Sequence, residues 1–384
     1  LAQADGPERI VIVRAVASRG ISSAIPMLLD LVAADDAELT NRNFQAIIEP
    51  VSQMMGVSED SVMLHVLPMF HIGGSGVANV GLYNGCTNIV HRDVDPGRAF
   101  ADIPGYGVTS AFLVPALLQV LPMIPGASDV DFSSLETIFY GASPITEEAL
   151  VASMALLKCP HAQAYGLTET TGVVTWLPPE DHDPGGPRAK LLRSAGKPVQ
   201  GVELRIVDDA GNDQPPGEVG EVWVRTHQNL KSYWRNPRAT AEVFPEGRDA
   251  DGLGWFRTGD AGYMDEGYLF IHDRVKDMIV SGGENVYPAE IENAIISHPG
   301  VSDVAVIGIP SERWGESPLA LIVPAEDADP TQEEIIAHCE ERLARFKLPT
   351  AVERIDAIPR NPSGKILKVD LREPYWEGHD RSVN

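Results

Sequence analysis

Between residues 43 and 160 the chain alternates two hydrophobic periodicities, and this alternation constrains the fold more than any other feature of the sequence. Short apolar runs at 61–70 (SVMLHVLPMF), 109–114 (TSAFLV) and 137–140 (TIFY) read as strands. Helical patterns lie between them, as at 144–157, where Pro144 suits a first turn and Thr146 a cap. Strand–helix alternation of this kind argues for an α/β layer around a largely parallel sheet. From about 195 to 272 the texture changes. Segments 202–207 (VELRIV) and 220–225 (GEVWVR) alternate at period two between the turns DDAGN and PPG, and 268–272 (YLFIH) is another short strand. That section reads as antiparallel β. Beyond 276 come an amphipathic helix at 288–297, a strand at 301–309 and a capped helix at 331–346, enough for a small α+β domain with its own core.

A chain of 384 residues is too long for one compact core. The predicted architecture is α/β. A large N-terminal domain over 1–275 contains α/β sheets and a β-rich subdomain, and a small α+β domain follows over 276–384. The formal net charge of −25 argues against nucleic acid as a partner, because such proteins cluster Lys and Arg. It does not exclude anionic ligands, since a site can be locally cationic on an acidic protein. The cysteines, Cys86, Cys159 and Cys339, are scattered without metal-ligand spacing and fit a reducing cytosol. No apolar run is long enough to span a membrane, and no signal peptide opens the chain.

Four segments carry candidate chemistry. In AYGLTETTG (164–172), hydroxyls at 168, 170 and 171 surround the carboxylate of Glu169, a set of hard oxygens that suits Mg²⁺ carrying a nucleotide phosphate. The alternative is a hydroxyl-rich capping segment. In GWFRTGD (254–260), Asp260 follows a glycine turn and can accept hydrogen bonds from a ribose diol, or simply cap backbone N–H groups. In SGGENVYP (281–288), adjacent glycines permit a close backbone approach, or an ordinary tight connection into the next helix. In PRNPSGKILK (359–368), a proline-rich turn ends on Lys365. That lysine is either a solvated surface group or a cation delivered to a phosphate or carboxylate.

Taken together, YGLTETTG (165–172), WFRTGD (255–260), DRVKDMIVSGGENVYPAEIE (273–292) and PRNPSGKILK (359–368) resemble the adenylate-forming superfamily. The nearest subgroup is the acyl-CoA synthetases, or fatty-acid CoA ligases, and the resemblance runs from about Leu39 to the end. It implies that a carboxylic acid and ATP form an acyl-adenylate with release of pyrophosphate, after which the CoA thiol attacks. The cofactors implied are ATP, Mg²⁺ and coenzyme A, and a fatty acid is the default substrate. By resemblance, Tyr165 stacks on adenine beside Gly166, and Gly141, Ala142 and Ser143 line the base pocket. Thr168 contacts phosphate and Glu169 helps to hold Mg²⁺. Asp260 and Arg274 grip the ribose. Lys365 bridges the carboxylate and the α-phosphate. Lys276 matches a hinge about which a mobile C-terminal domain turns, withdrawing Lys365 and presenting Gly282, Gly283 and Glu284 beside the pantetheine tunnel. His71 in LPMFH (67–71) falls at the acyl pocket, and small residues at 73–76 imply an ungated channel. A homodimer, cytoplasmic or peripheral at the membrane, is the family habit.

The family's glycine- and hydroxyl-rich phosphate loop is absent where it is expected, just before Leu39. A mobile loop missing between Glu38 and Leu39 and a fragment that starts late in a longer polypeptide are the expected explanations. The competing readings are an acyl-AMP ligase that loads a carrier protein, and a non-catalytic relic lacking the loop.

Overall fold

The computed structural model describes residues 11–14, 37–92, 95–360 and 365–377. Residues 15–36, which include most of the expected approach to the phosphate loop, and the turn at 361–364 lie outside the described residues. The chain divides into two compact units. The first comprises 1–218, 222–258 and 263–270; the second comprises 219–221, 259–262 and 271–384.

The first unit is built on an eight-stranded sheet. Its strands are β1 (Val11–Arg14), β3 (Val62–His65), β4 (Thr87–Val90), β5 (Ser110–Leu113), β6 (Thr137–Gly141), β7 (His161–Leu167), β8 (Gly172–Leu177) and β9 (Lys197–Pro198), with β2 (Ala37–Glu38) outside it. The order is β1-β4-β3-β5-β6-β7-β8-β9. The run from β4 through β7 is parallel. β1, β8 and β9 join antiparallel at the flanks. The predicted parallel layer is therefore present, and each predicted apolar run contains one of its strands. The helices are α1 (Asn41–Met55), α2 (Ile72–Asn84), α3 (Pro96–Tyr106), α4 (Pro115–Val120) and α5 (Glu147–Leu157). Leu64, Ile89 and Ile138 of the sheet pack with Phe100, Leu118 and Leu150 of α3, α4 and α5 in one core. Burying a side chain of this size contributes about 1.5–3 kcal/mol.

Thr146 caps α5 as predicted, its side chain accepting the Ala149 N–H. Pro144 lies two residues before that cap and is not part of the helix, a correction to its expected place in the first turn. The β-rich section holds β10 (Glu203–Val207), β11 (Gly220–Arg225), β12 (Ser232–Tyr233), β13 (Phe256–Asp265) and β14 (Tyr268–Arg274), with α6 (Pro237–Glu242). Four of these strands form a sheet in the order β10-β11-β13-β14, while β12 pairs antiparallel with β2.

The second unit has a five-stranded sheet of β15 (Ile279–Ser281), β16 (Glu284–Val286), β17 (Val301–Ser311), β18 (Gly315–Pro324) and β19 (Ala351–Arg354). Period-two alternation along β17 sends Val304 and Val306 into a core with Ile291, Ile295, Ile335 and Cys339. Ala305 and Ile307 enter a second core with Ile358 and Leu371. The helices are α7 (Pro288–Ile296), α8 (Gln332–Glu340) and the short α9 (Lys368–Arg372). Thr331 and Glu334 form a capping box at the start of α8. That helix ends at Glu340 rather than at 346, and the chain leaves it so that Leu343 and Leu348 both pack onto the core beneath.

One buried polar side chain ties α1 to the rest of its unit. The Asn43 amide donates to the carbonyls of His227 and Asn229, 2.8 Å each, and accepts from the Thr40 N–H at 2.7 Å. Asn43→Leu leaves the buried Asn229 carbonyl and the part-buried His227 carbonyl without this donor. It is expected to lower stability by about 2–4 kcal/mol, read as a lower urea midpoint at unchanged m-value.

Candidate active site

In the first unit the nucleotide-type motifs lie where three adjacent strands approach unusually closely. A Cβ on Gly141, at the end of β6, would sit 2.0 Å from the Ala164 carbonyl oxygen, and one on Gly166 would sit 1.7 Å from the Gly172 carbonyl oxygen. Glycine is required at both positions. A register shift between Tyr165 and Gly166 in the β7–β8 pair marks a bulge, a device that re-aims a side chain. Ala142 adopts φ 72°, a left-handed conformation that costs a residue with a Cβ about 1–2 kcal/mol. Such strain concentrates where function needs an uncommon backbone.

These residues open into an apolar cleft of about 710 Å³ lined by Ala142, Tyr165 and Gly166 together with His71, Gly73, Gly76, Val77 and Phe112. His71 has two uses. Its Nδ1 accepts the Gly73 N–H at 3.1 Å and so caps α2, and the residue also lines the cleft. That bond assigns the ring proton to Nε2. The small residues of α2 have separate causes. A Cβ on Gly74 would meet the Pro68 carbonyl at 2.3 Å, so packing demands glycine there. A Cβ on Gly76 would meet only Ile72, at an ordinary 3.6 Å, so Gly76 keeps the cleft wide without any packing need.

The turn after β7 divides its hydroxyls into two sets. The Thr170 hydroxyl lies 3.1 Å from the Leu167 carbonyl and 2.9 Å from the Gly172 carbonyl. The Thr171 hydroxyl donates to the Gln228 carbonyl at 2.6 Å. Both are used by the backbone, so the sequence reading of three hydroxyls around one carboxylate is corrected to Thr168 and Glu169. Glu169 is half-buried and its Oε1 accepts the Tyr233 hydroxyl at 3.0 Å. Among the described residues no cluster of three or more His, Cys, Asp or Glu could hold a metal alone. A single oriented carboxylate still fits Mg²⁺, which is usually held by one or two carboxylates plus substrate phosphates and water. Tyr233 was not found from the sequence. It stands 64 residues from its partner and carries no motif.

In the second unit Asp260 is buried on β13, with Arg274 Nε 3.7 Å from its Oδ1. Lys365 shares this neighbourhood. Burial pushes its ammonium down to about 8, with Arg274 and Lys276 acting in the same direction and Asp260 and Asp277 opposing them. Lys276 is exposed in the short turn Val275–Asp277 that follows Arg274. Gly282 and Gly283 have a plain local explanation. They form the two-residue turn of the β15–β16 hairpin, where Ser281 pairs with Glu284, and both adopt positive φ, 63° and 88°. Turns of this kind favour Gly-Gly. The ring of Trp314 lies against Gly282, where a Cβ would come within 2.8 Å of it. Glu284 is exposed at the end of the turn.

Comparison with known proteins agrees with the motifs. The model for the AMP-binding enzyme matches residues 37–234, and the model for the AMP-binding enzyme C-terminal domain matches 290–365. A fatty acid–[acyl-carrier-protein] ligase, ScoC of Streptomyces coeruleorubidus, is 44% identical over 83% of this chain and 60% of its own length. A long-chain-fatty-acid–CoA ligase, FadD13 of Mycobacterium tuberculosis, is 41% identical over 82% of this chain and 59% of its own. The chain thus spans about three-fifths of the length of these relatives. Among solved structures, the amide bond synthetase McbA of Marinactinospora thermotolerans matches at TM-score 0.79 and 32% identity, covering 88% of this chain and 67% of that one. The o-succinylbenzoate CoA synthetase of Bacillus subtilis, solved with ATP and magnesium, matches at 0.75 and 32%, covering 87% and 66%.

Two outcomes are expected of the site. Gly76→Phe fills the cleft without disturbing the backbone, so thermal stability stays within a few degrees. The variant's affinity for a sixteen-carbon alkyl ligand falls at least about tenfold relative to a four-carbon one, read as Kd by titration calorimetry. The Lys365 ammonium loses its proton in the free protein as pH rises through about 8. If a phosphate is held by that ammonium, the free protein binds ATP more weakly above about pH 8, read as a rising Kd by titration calorimetry. A Kd flat to pH 10 contradicts a charged contact between Lys365 and phosphate.

Proposed function

Because the chain belongs to the AMP-binding enzyme family, we propose that it carries out ATP-dependent ligation of a carboxylic acid to coenzyme A through an acyl-adenylate, with a fatty acid as substrate. The observation that carries this reading is the continuity of one cleft. The strained strand ends at Gly141–Ala142 and Tyr165–Gly166 share it with an apolar channel walled by α1, α2 and β5. A nucleotide at the polar end and an alkyl chain in the channel meet with the carboxylate between them. The relatives named for fatty acids support the same substrate class.

In this reading Tyr165 and the 141–143 segment hold the base, Asp260 and Arg274 accept the ribose, and Thr168 lies against phosphate. Glu169, oriented by Tyr233, holds Mg²⁺, which when bound offsets the charge of the phosphates. The attacking carboxylate is already ionised near neutral pH, so no general base is required. The barrier is electrostatic: an anion must approach a polyanion. Lys365 supplies a point charge to the carboxylate and α-phosphate where negative charge develops. The domain from 276 onward then turns about Lys276, withdraws Lys365 and presents the 282–285 hairpin to the thiol, a hinge-type exchange of groups. The three cysteines, free and buried, are consistent with a reducing, cytoplasmic setting. Among the described residues no helix is long and apolar enough to cross a membrane.

A second reading has one specific observation behind it. The relative at 44% identity is named as a ligase for an acyl carrier protein, so the acceptor thiol could belong to a protein-bound pantetheine. Replacing Lys365 by alanine is expected to slow adenylation by about 10²–10³-fold while leaving thioester formation from supplied acyl-adenylate within about threefold. Equal loss of both half-reactions would reject the two-pose account. Pyrophosphate release with no thioester on free CoA, but with acylation of a carrier protein, would transfer the reading to the carrier-loading branch.

A further inference from the structure

The residues just beyond Lys365 form a cationic clamp that the reading above does not use. Lys368, at the first position of α9, is almost entirely buried, its side chain 11% exposed. Its ammonium lies 2.9 Å from Glu292 Oε1 and 3.7 Å from Asp273 Oδ2. Neither carboxylate belongs to that ammonium alone. Asp273 also accepts the Arg274 N–H at 2.7 Å and the Ala289 N–H at 2.9 Å, and Glu292 accepts the Val306 N–H at 2.7 Å. One side chain therefore joins the end of β14, the body of α7 and the centre of β17 to the segment that carries Lys365. One helical turn later, Arg372 pairs with Asp277 at 3.3 Å. Asp273 and Asp277 stand on either side of Arg274 and Lys276. The two cations of α9 thus grip both ends of the short stretch that also feels the charge of Lys365.

The arrangement is a costly way to gain stability alone. Removing an ammonium from water carries a desolvation penalty that ion pairing often fails to offset, and apolar replacements of similar size are frequently as stable. Asp273 and Glu292 pin the cation from two different elements, which fixes where α9 begins. Lys365 lies three residues upstream, its neighbour Leu367 tied back to the Pro359 carbonyl at 2.9 Å and Ile366 bridged to Arg360. Little freedom remains between the clamp and the lysine.

We propose that Lys368 is a positioning residue for adenylation: paired with Glu292 and Asp273, it holds the Lys365 segment in register with Asp260 and Arg274. This rests on the proposed role of Lys365, and it concerns geometry rather than contact with substrate. A displacement of about an ångström at a reacting group can cost about 10²-fold in rate.

The test uses acid-dependent ATP–pyrophosphate exchange with palmitate and, separately, thioester formation from supplied palmitoyl-adenylate and CoA. Lys368→Met is expected to lower kcat for exchange about 10- to 100-fold. KM for ATP and palmitate should stay within about threefold, and the thioester step should be nearly unchanged. Lys368→Arg restores exchange to within about threefold of the parent, since it returns a cation to both carboxylates. The double variant Lys368→Met/Glu292→Gln removes the charge together with a partner, leaves Asp273 its backbone donors and keeps an amide oxygen for the Val306 N–H, and so guards against misfolding of the single variant. It should show the same selective loss. Wild-type exchange by either variant, equal loss in both half-reactions, or failure of both variants to fold overturns the proposal and leaves the clamp a structural element only. Absence of exchange in the parent protein with every acid tried would instead count against the reading of its function.

Discussion

The site in the first unit depends on backbone meeting backbone where no side chain can intervene. β6, β7 and β8 converge so closely that Gly141 and Gly166 face carbonyl oxygens at distances no Cβ could occupy. That closeness shapes the cleft. The strand ends expose peptide edges and the Tyr165 ring instead of a wall of side chains. Directly beyond β6 the chain makes a left-handed turn at Ala142. The parallel sheet below is ordinary, with apolar residues filling the space beneath α3, α4 and α5. The exceptional geometry is confined to the strand ends, where ligands of parallel sheets usually bind.

A second constraint is electrostatic. A chain with formal net charge −25 must create a region where anions are tolerated. In the second unit it does so by interleaving charges rather than by accumulating positive ones. Arg274, Lys276 and Lys365 share their surroundings with Asp260 and Asp277, and Lys368 sits between Asp273 and Glu292. Burial, aided by Arg274 and Lys276 against Asp260 and Asp277, leaves Lys365 easier to deprotonate than an ordinary lysine. A phosphate entering its surroundings reverses that preference, so ligand and proton bind together.

Much of this was legible in sequence because it is local. The Thr146 cap, the period-two strands at 202–207 and 220–225 and the order of the four motifs each depend on residues within a few positions of one another. The boundary of α8 was not legible, since Leu343 and Leu348 leave the helical pattern to meet a core assembled from distant strands. Nor was the use of the hydroxyls of Thr170 and Thr171, which turn to nearby or distant carbonyls rather than outward. Tyr233 and Glu292 escaped notice for the same reason. Each acts on a residue 64 or 76 positions away, at Glu169 and Lys368 (368 − 292 = 76) respectively, and only the fold brings the pair together. The glycines at 282 and 283, by contrast, need nothing distant, because a two-residue hairpin accounts for them.

The twist at Ala142 ties heat resistance to turnover. Any selection for a sturdier protein will be drawn to that position, because glycine relieves the crowding there and asparagine tolerates it better than alanine does. The relaxed loop gains freedom at the mouth of the cleft, and on the proposed reading a base held there loses a rigid neighbour. Laboratory evolution toward higher melting temperature should therefore pass through residue 142 early, and the survivors should hold nucleotide more loosely than their ancestor.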